Sequence, residues 1–163
     1  MSDITTLQHQ VYLVREVVRI NLAGVSHEES LVQPQPAGNC MNWVLGHLLA
    51  TYDQALPLLA QQPMRADGTL TRYARGSSPV TDSTHALPLH ELLGMWDETC
   101  RRVDAGLAAF PAARLTEPAP NSPTGNPNET MGSLLSTILF HQSYHAGQLG
   151  VLRRVAGKAG AIA

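Results

Sequence analysis

Apolar residues recur at the 3.6-residue helical period in four stretches, separated by three segments rich in Pro, Gly or Ser. In the first stretch, residues 3–25, Leu7, Val11, Val14, Val18, Leu22 and Val25 form the stripe. Gln8, Arg15 and Arg19 fall outside it, and Ser2 or Asp3 can cap the start. After the loop SLVQPQPAG, Asn39 is the expected N-cap of a second helix. Cys40, Val44, His47, Thr51 and Leu58 occupy one side of it, and Leu45, Leu49, Tyr52, Leu56 and Leu59 another. A helix apolar on more than one side is either buried or packed on a second subunit. Pro57 is expected to kink it or mark a restart, because proline lacks an N–H and clashes with the preceding turn.

Residues 63–87 carry no clear period and read as loop, long enough to cover something. The third helix is expected to begin with Pro88 at its first position, with Leu89, Leu93, Trp96, Cys100, Val103 and Leu107 on its stripe. Five prolines between residues 110 and 128 exclude a helix there. The fourth helix spans residues 130–156. Thr130 caps it, Glu129 suits its positive end, Arg153 and Arg154 its negative end, and Gly157 stops it. No segment alternates as a strand does. The pattern predicts an all-α protein, one domain over residues 1–163, built as a four-helix bundle with long connecting loops.

Composition narrows the function classes. The chain has 163 residues, 44% of them hydrophobic, and a net charge of −2 from 11 basic and 13 acidic residues. Without a clustered basic face there is no electrostatic case for nucleic acid. No run approaches a membrane span and the N-terminus lacks the signal-peptide pattern, so a soluble, cytoplasmic protein is expected. Cys40 and Cys100 are too few for a disulfide framework, and Cys40 suits a small core position. The sequon Asn128-Glu129-Thr130 carries no weight without secretion.

The chemistry lies in FHQSYHAGQL, residues 140–149. At about 100° per residue, His141 and His145 fall about 40° apart, on the sector of Leu134, Ile138, Gln148 and Leu152. They therefore face the core, close enough for both imidazoles to reach one ion. A zinc-type site with an open position wants three protein ligands, and His47 on the second helix offers the third, with Gly46 beside it. Spacing alone leaves two readings open, a shared metal or core histidines paired by hydrogen bonds. Gln148 can hydrogen-bond a ligand histidine, or simply be polar at the bundle end. Trp43, Thr51 and Tyr144 are candidate pocket residues, and Trp96 is core or pocket wall. Gly147 suits close helix approach. His9 and His27 read as surface, and His85 and His90 flank the third helix. Gln142 follows the first histidine where a zincin needs glutamate, and Gly-Ser-Ser-Pro is no nucleophile elbow.

The stretches NWVLGHLLA and TMGSLLSTILFHQSYHAGQLGVLRR, about a third of the chain with their surroundings, resemble the DinB/YfiT-like family of metal-dependent proteins. The GHL motif and the HxxxHxGQ motif map onto His47, His141, His145 and Gln148. The fragment GSSPVTD is also similar to segments in some relatives. The resemblance implies a four-helix bundle, often a homodimer, binding a divalent ion, commonly zinc or nickel. It implies S-transferase or isomerase chemistry on a small-molecule substrate, with a low-molecular-weight thiol such as bacillithiol, mycothiol or glutathione. Other members have no established activity. The expectation is thus a metal-dependent enzyme activating a thiol (S-transferase type) or water (hydrolase type). The alternative is a non-catalytic metal- or ligand-binding stress-response protein on the same bundle.

Overall fold

A computed structural model describes residues 3–65 and 67–162. Ser2, one of the two candidate caps, lies outside them. Helix α1 spans Ile4–Leu22, and the Asp3 carboxylate accepts the Thr6 N–H at 2.7 Å to cap it. It ends three residues before the expected Val25 because the chain turns at Gly24, whose φ of +67° favours glycine. A single turn, α2 (His27–Ser30), follows behind a Ser26–Glu29 capping box.

Helix α3 spans Met41–Ala55, and its N-cap is Cys40 rather than Asn39. Cys40 turns its thiol to the Val80 carbonyl, so this helix start has no side-chain cap. At the far end the helix tightens into a 3₁₀ turn, Leu56–Leu59, which accepts Pro57 in its first turn. Helix α4 spans Leu89–Ala108, with Pro88 one position earlier than expected, as the N-cap. Helix α5 spans Met131–Val155, with Thr130 and Ser133 forming a reciprocal cap and Gly157 at φ +80° closing its end.

The four long helices pack in a ring, α1 on α5, α5 on α3, α3 on α4 and α4 on α1. One apolar cluster runs through them, including Leu7, Val18, Leu45, Leu49, Trp96 and Leu149. Helix α3 is buried from Met41 to Ala50 on every side, by α4, α5 and a 3₁₀ turn at Thr69–Tyr73. Its second apolar side is therefore filled within the chain, and the sequence ground for a second subunit falls away. The exposed large apolar side chains lie mainly on α1 and α5.

The two long connections are ordered against the bundle. Tyr73, from the segment that read as loop, is fully buried on α3. The proline-rich segment packs a 3₁₀ turn, Ala112–Thr116, on α5, and pairs Pro118 with Thr130 in an isolated bridge. Gly147, expected at a close helix approach, faces open space; Gly150 fills that role beside Asn21. Among the described residues, no helix is long and apolar enough to cross a membrane.

Candidate metal centre

Helix α3 presents His47 and helix α5 presents His141 and His145 to one point. One ring nitrogen of each can be chosen so that all three lie within 4.8 Å of one another. His47 Nε2 and His141 Nε2 are 3.1 Å apart. A tetrahedral ion with Zn–N bonds of about 2.0–2.1 Å would hold two donor nitrogens about 3.3 Å apart. The donor set and spacing therefore fit a divalent ion of the zinc class.

The neighbours fix which nitrogens are free. His47 Nδ1 lies 2.8 Å from the Tyr73 carbonyl oxygen. A carbonyl only accepts, so Nδ1 carries the proton and Nε2 keeps its lone pair. His145 Nδ1 lies 2.6 Å from Gln148 Oε1, with the same consequence. Gln148 thus acts on a candidate ligand ring, one of the two roles the sequence left open. For His141, Nδ1 is buried without a partner, and the Nε2–H can donate to the His47 lone pair.

The surroundings disfavour the charged form of all three imidazoles, and metal binding requires the neutral one. Burial lowers the His47 pKa, the Tyr73 hydrogen bond opposes this, and the Arg75 charge adds to it. For His141, burial, the two other histidines and Arg75 together lower it to about 4. Burial also lowers His145, against the hydrogen bond to Gln148.

A scaffold around Tyr73 holds His47. A Cβ on Gly46 would overlap the Tyr73 ring, so the glycine is what admits it. The Tyr73 hydroxyl donates to Asn42 Oδ1 at 3.0 Å and accepts the Leu87 N–H at 2.8 Å. Asn42 Nδ2 closes the triangle on the Leu87 carbonyl at 2.9 Å. On the other face, Trp43 stacks on the His47 ring, centroids 4.7 Å apart, and donates Nε1–H to Ser77 Oγ. Gln142, fully buried on α5, donates to the Leu48 carbonyl of α3 at 3.0 Å and ties the two histidine-bearing helices together.

Two cavities, of about 620 and 440 Å³, open at the centre and share His47, His141 and Arg75. Trp43, His145 and Gln148 line the larger, and Thr51 the smaller. Tyr144 lies outside both linings, 59% exposed, with its ring edge-on to His145. Trp96 is wholly buried core. His9, His85 and His90 are exposed and away from the centre, whereas His27 is half-buried and accepts the Leu89 N–H at 3.3 Å. Sequence reasoning missed Tyr73, Arg75, Asn42 and Gln142. The only signal for them was Gly46 beside His47, which marks a close neighbour without naming it.

This is an all-helical bundle with a three-histidine centre between two of its helices. A model of the DinB superfamily matches residues 10–149, and the chain belongs to that superfamily. A conserved Enterococcus faecalis protein of known crystal structure has a similar fold, with a TM-score of 0.75 at 17% identity over 97% of this chain and 99% of that one. No curated protein matches the chain.

Proposed function

We propose that the protein is a metal-dependent enzyme in which His47, His141 and His145 hold a divalent ion and a low-molecular-weight thiol is the nucleophile. The observation that carries this reading is the convergence of three neutral imidazoles, two with Nε2 kept free by Tyr73 and Gln148. A bound ion would supply Lewis-acid chemistry, lowering the pKa of a thiol or water placed beside it.

The lining favours a thiol over water. Among the described residues, neither cavity has an aspartate or glutamate on its wall, so a hydrolase would lack the carboxylate base that metalloproteases use. A thiol needs less help, because metal contact alone deprotonates it. The chain's own cysteines do not compete: burial pushes the Cys100 thiol well above its usual pKa, and Cys40 is buried against Val80. Trp43, Val44, Val151 and Leu152 give the larger cavity an apolar wall for the body of a substrate.

The test is a screen of small thiols against alkylating and other electrophiles, using protein loaded with zinc or nickel. Thiol consumption that needs the metal and disappears in His47→Ala supports the proposal. Tight metal binding with no thiol reaching the ion favours a non-catalytic binding protein instead, a reading consistent with the absence of a general base on the cavity walls.

A further inference from the structure

Among the described residues, Arg75 is the one formally charged residue on the walls of either cavity, and it lies on both. It belongs to the segment between the Thr69–Tyr73 turn and α4, two residues after the carbonyl that holds His47. It shares the walls of both cavities with His47 and His141.

Most other arginines are occupied. Arg15 and Arg19 face Asp97, Arg101 and Arg102 share Glu98, Arg114 meets Glu117, and Arg153 donates to carbonyls at the end of α1. Arg75 has no carboxylate and no hydrogen-bond acceptor among the described residues. An unpaired guanidinium presents donors in a fork that matches a carboxylate.

The centre has no anion of its own. Its three protein ligands would be neutral imidazoles, and a divalent ion among them would leave two positive charges beside Arg75, with no acidic side chain on either wall among the described residues. In a half-buried site such charge is matched by what binds there.

We infer that Arg75 is the specificity-determining residue of this site and that its substrate is a small molecule carrying a carboxylate, which the guanidinium holds while the reacting group lies at the histidine centre. This rests on the metal-and-thiol reading above for the reacting group, but not for the anion. Because Arg75 borders both cavities, the carboxylate can belong to the thiol in one or to its reaction partner in the other.

The test uses cobalt-substituted protein, whose visible spectrum reports any ligand reaching the ion, with Arg75→Gln and Arg75→Lys alongside. Arg75 is exposed, so both variants should fold and bind cobalt like the unaltered protein. Three probes are titrated: 3-mercaptopropionate, 2-mercaptoethanol and the thiol-free dianion succinate. The unaltered protein should bind 3-mercaptopropionate about tenfold or more tightly than 2-mercaptoethanol. The preference should collapse in Arg75→Gln, survive in part in Arg75→Lys, and weaken with salt. Equal affinities for the two thiols in the unaltered protein, or a preference that survives in Arg75→Gln, overturn the inference. If cobalt binds but no thiol moves its spectrum, the thiol reading fails by itself and succinate decides. Succinate perturbing the unaltered protein and not Arg75→Gln upholds Arg75, and equal behaviour of the two overturns it.

Discussion

The Nδ1 of His47 and the backbone carbonyl of Tyr73 are 2.8 Å apart, although 26 residues separate them in the chain. That single contact decides which nitrogen of His47 faces the other histidines. It exists because Gly46, one residue earlier, leaves room for the Tyr73 ring against α3. The Gly-His pair is thus one device, in which the glycine admits the residue whose carbonyl orients the histidine.

Gly46→Ala should therefore damage both fold and centre. Its methyl would meet a fully buried ring. Overpacking of this kind costs roughly 1–3 kcal/mol. The metal affinity should fall about tenfold or more as the Tyr73 carbonyl moves. Gly147→Ala, at an exposed helical position with nothing within 4 Å, is the control: it should leave metal affinity unchanged and raise stability by about 0.5–1 kcal/mol, the opposite sign. Thermal melts with and without zinc separate the two effects.

Tyr73→Phe should separate stability from metal binding. It removes the hydroxyl that joins Asn42 to the Leu87 N–H while leaving the Tyr73 carbonyl in the backbone. Unpaired buried polar groups of this sort cost about 1–3 kcal/mol. Denaturant midpoints should drop accordingly, whereas zinc affinity, measured by competition with a chelating dye, should change less than in Gly46→Ala.

Gln148→Ala should weaken the metal without unfolding the protein. Gln148 is half-buried, and its Oε1 accepts the proton of His145 Nδ1. Loss of such a hydrogen bond to a ligand imidazole lowers affinity about 10–100-fold. The same competition titration checks this. Tyr144→Ala, removing a residue outside both cavities, should leave affinity within about threefold.

How far the sequence carried depended on whether periodicity encoded the feature. The four long helices and the inward sector of His47, His141 and His145 were legible, because helical spacing alone puts those rings on the core side. Helix ends were off by one to three residues where a local turn decided, as at Gly24 and Cys40. Tyr73 and Arg75 were illegible for a different reason. They lie in a segment without period, and their roles arise from contacts made to α3 after the chain has folded back. Tyr144 misled because it adjoins His145 in sequence, while on the helix it points outward, leaving 59% of it exposed. Of the two grounds for a dimer, the apolar sides of one helix could not say whether the second is covered by the same chain, as it is here; the family resemblance is the ground that stands.

The metal-free protein should lose stability as the pH falls from about 6.5 toward 4. All three imidazoles have pKa values lowered from the ordinary 6.5, chiefly by burial, and His141 reaches about 4. The unfolded chain takes up protons near 6.5, while the folded site resists until lower pH. Stability from this source is therefore complete above pH 6.5 and lost as the pH falls through the folded values. Bound metal, which competes with the same protons, should steepen the fall. Melting temperatures from pH 8 to pH 4 check the slope, which His141→Gln should flatten.

The most direct measurement is metal content. Purified protein incubated with excess zinc, then freed of loosely held ions, should retain one ion per chain by elemental analysis. His47→Ala, His141→Ala and His145→Ala should each fall well below that ratio while keeping the helical circular-dichroism spectrum of the unaltered protein. Bound zinc should also raise the melting temperature of the unaltered protein alone, since a ligand of the folded state stabilises it. Less than stoichiometric metal in the unaltered protein, or equal retention in the three variants, would contradict a centre built from His47, His141 and His145.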